Sequence, residues 1–483
     1  MIPTCITHMV ARQQQQQLVA CNIYVSSGGK KLHHKTVLLD TLFKAQERCR
    51  LICKGLITPS CDCSSLSPLL REDERHQEET GKITSSSLSK YPSENPRVAI
   101  VHAYSDGPYN RSSFHLAGDA NCVADIALFM ALSTLEGLLS PPSQKISSFN
   151  NHNSLTIEDN QHANNHNFLK LDDFVDNNST HPYIGIVDHI SVMPLVARLV
   201  SELSSDSTSN NNSDPSPSQP QSQPQGDDHC GKVATYVGKK LKDEGIEVHY
   251  YGSADIPDGK PLAIVRKEKT NFFHSGGLSI KNNDRALLDK VNYSSSQQHD
   301  WQTNLSSDNK KLILGSCTIG SPPTFVENFN IQLSSNCSRK MAMSLTRRIR
   351  ERDDGDGNVG IQGVEALTLP YSNGRYEIAC NLLLPRIGSS IQIMRSLDDW
   401  IKELRQIYDF NKKEEIKDND FNISDGECNM ALDKSYFVDR AYLVGTTENQ
   451  CQLVLQKINE DDEIGAHDIS VGKSFEKNLC QDL

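Results

Sequence analysis

Short apolar strands and amphipathic helices alternate twice along this chain in the order βαββαβ, and that repetition limits it to layered folds with helices packed on sheets. In the first half the pattern predicts strands at Leu18 to Val25, Arg97 to Tyr104, Ser112 to Ala117 and Tyr183 to Val192. Helices are expected at about Lys35 to Lys54 and at Ala120 to Leu138, where Val123, Ile126, Ala127, Met130 and Ala131 recur at steps of three and four. A helix at Lys232 to Glu244, closed by Gly245, and a strand at Ile246 to Tyr251 extend this unit. The second half repeats the order with a strand within Leu312 to Leu333, a helix at Arg339 to Arg352, strands at Val364 to Leu369 and Tyr376 to Leu384, a helix at Ser389 to Tyr408, and a strand at Arg440 to Val444. Between its two middle strands Ser372-Asn373-Gly374 is a hairpin signal. The expected fold class is α+β: two ferredoxin-like βαββαβ subdomains, over 18–300 and 305–460, with a ligand cleft between them.

Of the 483 residues only 37% are hydrophobic, so part of the chain is expected to stay outside any core. Segments 64–95, 141–176 and 204–228 are rich in Ser, Asn, Asp, Pro and Gln and are expected to be disordered insertions, with 411–426 similarly loose. Acidic residues outnumber basic ones, 61 to 49, and no basic stripe suited to a phosphate backbone occurs, which argues against a nucleic-acid partner. No signal-length apolar run opens the chain, and no stretch reads as a transmembrane segment, so a cytoplasmic protein is expected, with a Golgi-associated or organellar location left open. The cysteines are expected to be thiols. Cys49, Cys53, Cys61 and Cys63 lack a recurrent zinc spacing, Asp353 to Asn358 lacks the closing glutamate of a calcium loop, and no metal is expected.

Candidate chemistry concentrates at 175–194. His181 precedes Pro182, which keeps it out of the helical region and presents its ring where a strand begins. Gly185 permits close approach of a ligand or of neighbouring backbone. Asp188 and His189 are strand neighbours and point to opposite faces unless the strand is bulged, so one of them at most shares a surface with His181. Elsewhere, Asn110 and Arg111 follow the Asp106-Gly107-Pro108 turn, and Asn328 and Asn330 lie on a strand. Arginine suits bidentate capture of a carboxylate, and asparagine offers donor and acceptor to a heterocycle or amide. Phosphate loops, nucleophile elbows and HExxH motifs are missing from the sequence.

Several segments occur in the order seen in glutamate formiminotransferases: Leu18 to Ser26, Gly107-Pro108-Tyr109-Asn110-Arg111 ending in Gly118, His181-Pro182-x-x-Gly185-x-x-Asp188, Val248 to Gly252, Phe329-Asn330-Ile331, and the Gly363 to Asn381 hairpin. The chain resembles the plant type, without a cyclodeaminase domain, from about Leu18 to Val454. That resemblance implies a homodimeric enzyme that binds tetrahydrofolate between its lobes and moves a formimino or formyl group between it and L-glutamate. It also implies His181 as general base, Asn110 and Arg111 lining the folate and carboxylate side, and Gly185, Asp188 and Asn330 as further substrate-binding positions, to which residue type on the same strand adds Asn328. A neutral imidazole can take the proton that the attacking amine must lose.

The departures bear on charge. Ser27 stands where the family carries a glutamate, Tyr183 where an arginine follows His-Pro, and Ser253 in place of a glutamate, with Asp106 the substitute for a displaced acid. A weaker grip on glutamate is expected. A folate-binding or scaffold protein that has lost turnover, and an unrelated αβ interaction module, are the competing readings.

Overall fold

The computed structural model describes residues 18–29, 31–61, 96–140, 181–195, 228–270, 272, 314–353, 358–418, 434–458 and 463–480. The insertions at 64–95 and 141–176, and 204–227 of the third, lie outside the described residues.

The protein is mixed α+β, with one sheet of six strands and one of four. The first sheet holds β1 (Leu18–Val25), β2 (Val98–Asp106), β3 (Arg111–Asp119), β4 (Val187–Pro194), β5 (Glu247–Gly252) and β6 (Ser316–Ser321), ordered β2-β3-β1-β4-β6-β5. Its first four strands are antiparallel neighbours, while β6 runs parallel to both β4 and β5. The second sheet holds β7 (Glu327–Leu333), β8 (Val364–Pro370), β9 (Tyr376–Leu382) and β10 (Val438–Val444), ordered β8-β9-β7-β10 and antiparallel throughout. The segment expected as one strand within Leu312 to Leu333 is therefore two. Ser316–Ser321 belongs to the first sheet and Glu327–Leu333 to the second, because Pro322 and Pro323 interrupt the ladder between them.

Alternation along each strand sorts side chains to two faces. On β1, Val19, Cys21, Ile23 and Val25 join a core with α1 (Leu32–Cys53), α2 (Ala120–Leu139) and α3 (His229–Asp243), while Asn22 and Tyr24 take the other face. By length and composition α2 is apolar enough to cross a membrane, which the sequence reading did not anticipate, but most of its residues are buried between the sheet and the flanking helices. Its Asp125 is held by Arg48 of α1 at 2.7 Å. On the second sheet Phe329, Ile331, Leu333, Ile378, Cys380 and Leu382 pack against α5 (Arg339–Ile349) and α6 (Ser390–Asp418), and α4 (Leu262–Lys269) follows β5. Helix α6 runs through 411–418, expected to be loose, where Lys412, Lys413, Glu414, Glu415 and Lys417 make a stretch rich in good helix formers.

The chain then returns to the first sheet. Helix α7 (Glu448–Lys457) starts at a Thr447/Gln450 capping box and lays Cys451 and Leu455 on Ala20, Ala99, Val101, Ala117 and Met193. Helix α8 (Glu463–Cys480) puts Phe475 against Phe114, with ring centroids 5.5 Å apart. Cys49 and Cys61 lie in the first core, where burial raises the Cys49 thiol well above its usual range; Cys63 is outside the described residues.

Candidate functional site

Most helices cover one face of each sheet, α7 covers one end of the other face of the first sheet, and the polar parts of these faces look toward each other. Tyr24 Oη donates to Asn328 Oδ1 at 3.3 Å, and Tyr109 Oη donates to Glu377 Oε1 at 2.7 Å, both joining the two sheets. Asn330 Nδ2 and Tyr442 Oη also donate to Glu377, each at 2.7 Å. Burial pushes the Glu377 carboxyl up to about 7, against those donors, which favour the anion.

One corner of this layer begins at the turn between β2 and β3. Asp106 Oδ1 accepts from the Tyr109 N–H at 3.1 Å, and Asn110 takes a left-handed φ of 49°, which asparagine tolerates. Asn110 Oδ1 accepts from the Gly28 N–H at 2.9 Å, so it holds the β1–α1 loop against the turn. A Cβ at Gly28 would stand 2.9 Å from Asn110 Cα, and this close approach explains the glycine. The next residue, Arg111, opens β3 with its guanidinium over the Tyr24 ring, 4.3 Å from the centroid.

The second arm is the approach to β4. Gly185 bridges Gly315, and a Cβ there would lie 2.3 Å from Ser316 O, so what approaches this glycine is backbone. Where β4 meets β1 the register moves from Tyr24 opposite His189 to Val25 opposite Val187, leaving Asp188 as the extra residue of a bulge. Asp188 and His189 thus serve the same face. Asp188 Oδ1 accepts from Arg111 Nη2 at 2.9 Å, and His189 stacks between Tyr24 and Tyr251 with centroid separations of 5.5 and 5.6 Å.

His181 completes the group. Its Nδ1 lies 3.0 Å from Pro182 O and its Nε2 3.0 Å from Arg111 Nη1. A carbonyl only accepts and a guanidinium only donates, so these partners assign the proton to Nδ1 and leave the Nε2 lone pair under Arg111. The ring is neutral: burial, then Arg111 and Arg266, hold it well below the ordinary imidazole range. Phe272 and Tyr109 flank it edge-on at 5.5 and 5.8 Å.

No family model matches this chain, and no curated protein matches it.

Of the residues expected from sequence, His181, Arg111 and Asp188 come together directly. Asn328 joins them through Tyr24, and Asn330 lies beyond Tyr109 on Glu377. Asn110 and Gly185 make the backbone contacts that shape the turn and the strand approach. Sequence reasoning missed Tyr24, Tyr109, Glu377 and Arg266. Tyr24 alternates with Asn22 on the polar side of β1, and that period was the available signal; Arg266, one of three basic residues at the end of a short helix, had none. Among the described residues no group of three His, Cys, Asp or Glu could hold a metal ion. The ends of the acidic run, Asp353 and Asn358, pair as a two-residue ribbon, and 354–357 lie outside the described residues.

Proposed function

We propose that this protein is a folate-dependent one-carbon transferase that moves a formimino or formyl group between tetrahydrofolate and L-glutamate, with His181 as general base. The observation that carries the reading is a neutral imidazole whose lone pair is covered by an arginine, itself tied on one side to a buried aspartate. A substrate carboxylate attracts Arg111 more strongly than a neutral ring does, because charge-assisted bonds are about twice as strong as neutral ones. Its arrival draws the guanidinium off Nε2 and offsets the positive field that depresses the ring. Nε2 then takes a proton from the glutamate nitrogen as that nitrogen bonds to the formimino carbon. When the carbon–N5 bond breaks, the imidazolium returns the proton to N5 of the folate, and charge and protons balance. A base of this kind supplies about 10²- to 10⁴-fold, and the remainder comes from holding amine and carbon together.

The flat folate lies between the polar faces, where Asn328, Asn330, Tyr442 and Glu377 offer donors and acceptors to a heterocycle. The two βαββαβ units, β1 to β4 and β7 to β10, are ferredoxin-like subdomains of a cytoplasmic homodimer; their shared order, second strand, third, first, fourth, supports the first part of that statement.

Single-turnover kinetics with 5-formiminotetrahydrofolate and glutamate test the reading. His181→Ala is expected to slow transfer at least 100-fold, and equal rates for wild type and variant would remove the enzyme. A second reading, a folate binder without turnover, draws on the covered lone pair and on Ser27 and Ser253 standing where the family it resembles carries carboxylates. Calorimetric binding of a reduced folate by a protein inactive in single turnover would establish it.

A further inference from the structure

A second guanidinium faces this site and is unaccounted for by the proton transfer. Arg266, on α4, has Nε and Nη2 buried without a hydrogen-bond partner, and Arg111 Nε is buried and unpartnered as well. Arg266 lies over the Phe272 ring, 4.4 Å from its centroid, and the same ring meets His181 edge-on at 5.5 Å. Arg111 and Arg266 act on each other, on His181 and on His189, and among the described residues Asp188 is the carboxylate that bears on Arg266. Two cations against that carboxylate leave a surplus positive charge, half-buried, with several buried N–H donors unmade. A buried unpaired donor costs free energy, and a buried unpaired charge costs more.

We infer that Arg266 is the specificity-determining residue of the site: it takes the second carboxylate of a dicarboxylate substrate while Arg111 takes the first. The inference rests on the transferase reading for its substrate, and it deepens that reading by explaining why an amino acid with a second acid group is chosen. A five-carbon diacid carries its two charges a few ångströms apart, so one cation alone could not neutralise both. The same geometry makes a monoamide a poor ligand, because an amide nitrogen would meet a guanidinium with donor against donor. Arg266 is a binding residue, so its loss is expected in KM for glutamate while the His181 proton transfer at saturation is largely kept.

The test is calorimetric binding of glutarate and of its monoamide to the full chain, wild type and Arg266→Gln, with thermal unfolding to verify that the variant folds. Wild type is expected to prefer glutarate by about 10- to 100-fold, the affinity equivalent of one charge-assisted bond, and Arg266→Gln to bind the two alike. Equal binding of both ligands by wild type, binding of neither, or an unchanged preference in the variant overturns the inference. Should Arg266→Gln unfold, Arg266→Lys is read instead: losing the fork is expected to weaken glutarate more than the monoamide, and equal weakening overturns the inference. A glutarate preference that depends on Arg266 in a protein with no formimino transfer removes the transferase reading and leaves the clamp standing.

Discussion

Removing the Arg111 guanidinium takes from the buried Asp188 carboxylate the donor to its Oδ1 and the nearer of the two cations that face it. Asp188 is 0% exposed; among the described residues Arg111 is the donor to its Oδ1, and Oδ2 has none. Breaking a buried pair from one side costs about 3–5 kcal/mol, to which the lost contact with Tyr24 adds about 0.5–1 kcal/mol. Arg111→Ala is therefore expected to lose about 4 kcal/mol, and at roughly 2–4 °C per kcal/mol the midpoint falls by about 8–16 °C. Most of that loss is the stranded charge, so Asp188→Asn introduced into Arg111→Ala should restore about 2–3 kcal/mol although it destabilises the wild type. Differential scanning calorimetry of the four proteins closes the cycle. A midpoint for Arg111→Ala within about 4 °C of wild type, or additive effects of the two changes, would refute the argument that the bulge buries a charge whose partner is Arg111.

Three further outcomes follow from the same geometry. His115, His181 and His189 are held neutral by burial, so below about 6.5 the unfolded chain binds protons that the folded one does not. Their contribution is present above that pH and declines as pH falls, by up to about 1.4 kcal/mol per unit for each ring; denaturant titrations at pH 7 and 5.5 should show the drop, and a flat profile counts against neutral rings. Glu377 has the opposite sign, since its folded carboxyl, pushed up to about 7, keeps a proton that the unfolded chain releases near 4.5. Its contribution is complete below 4.5 and is lost through 7, so Glu377→Gln should gain about 3 kcal/mol on wild type between pH 4 and 8; a difference independent of pH would contradict this. Gly185→Ala places a Cβ 2.3 Å from Ser316 O, backbone that cannot step aside, and should cost about 2 kcal/mol and slow transfer by displacing His181, whereas unchanged stability by calorimetry would mean the bridge to Gly315 does not matter.

Much of the layered architecture was legible because periodicity reports burial directly. The alternation of Val19, Cys21 and Ile23 with Asn22 and Tyr24, and the Ser372-Asn373-Gly374 turn with Asn373 at φ 58°, follow from local chemistry. What pairs across the sheet did not. Nothing local separates Ser316–Ser321 from Glu327–Leu333 by sheet, since membership is decided by distant partners, β4 for the first and β9 for the second. Within the site, His181, Arg111 and Asp188 could be chosen from residue type and their neighbouring Pro, Gly and Asp. Arg266 could not, for its importance lies in unmade hydrogen bonds that exist only after folding. The bulge at Asp188 had a stated alternative in the strand pattern, and the register shift opposite Tyr24 decided it.

The chain passes between the sheets by two short tethers. Residues 322–326 lead from β6 to β7, and 445–447 lead from β10 to α7, which is packed on the far part of the first sheet. Fully extended, the longer of these spans only about 20 Å, so the lobes cannot drift apart and must open, if at all, by pivoting about the line through both connections. A bulky cosubstrate would then enter from the side away from that axis, and cutting either link, with the sheets otherwise intact, would turn a hinged jaw into two loosely held plates.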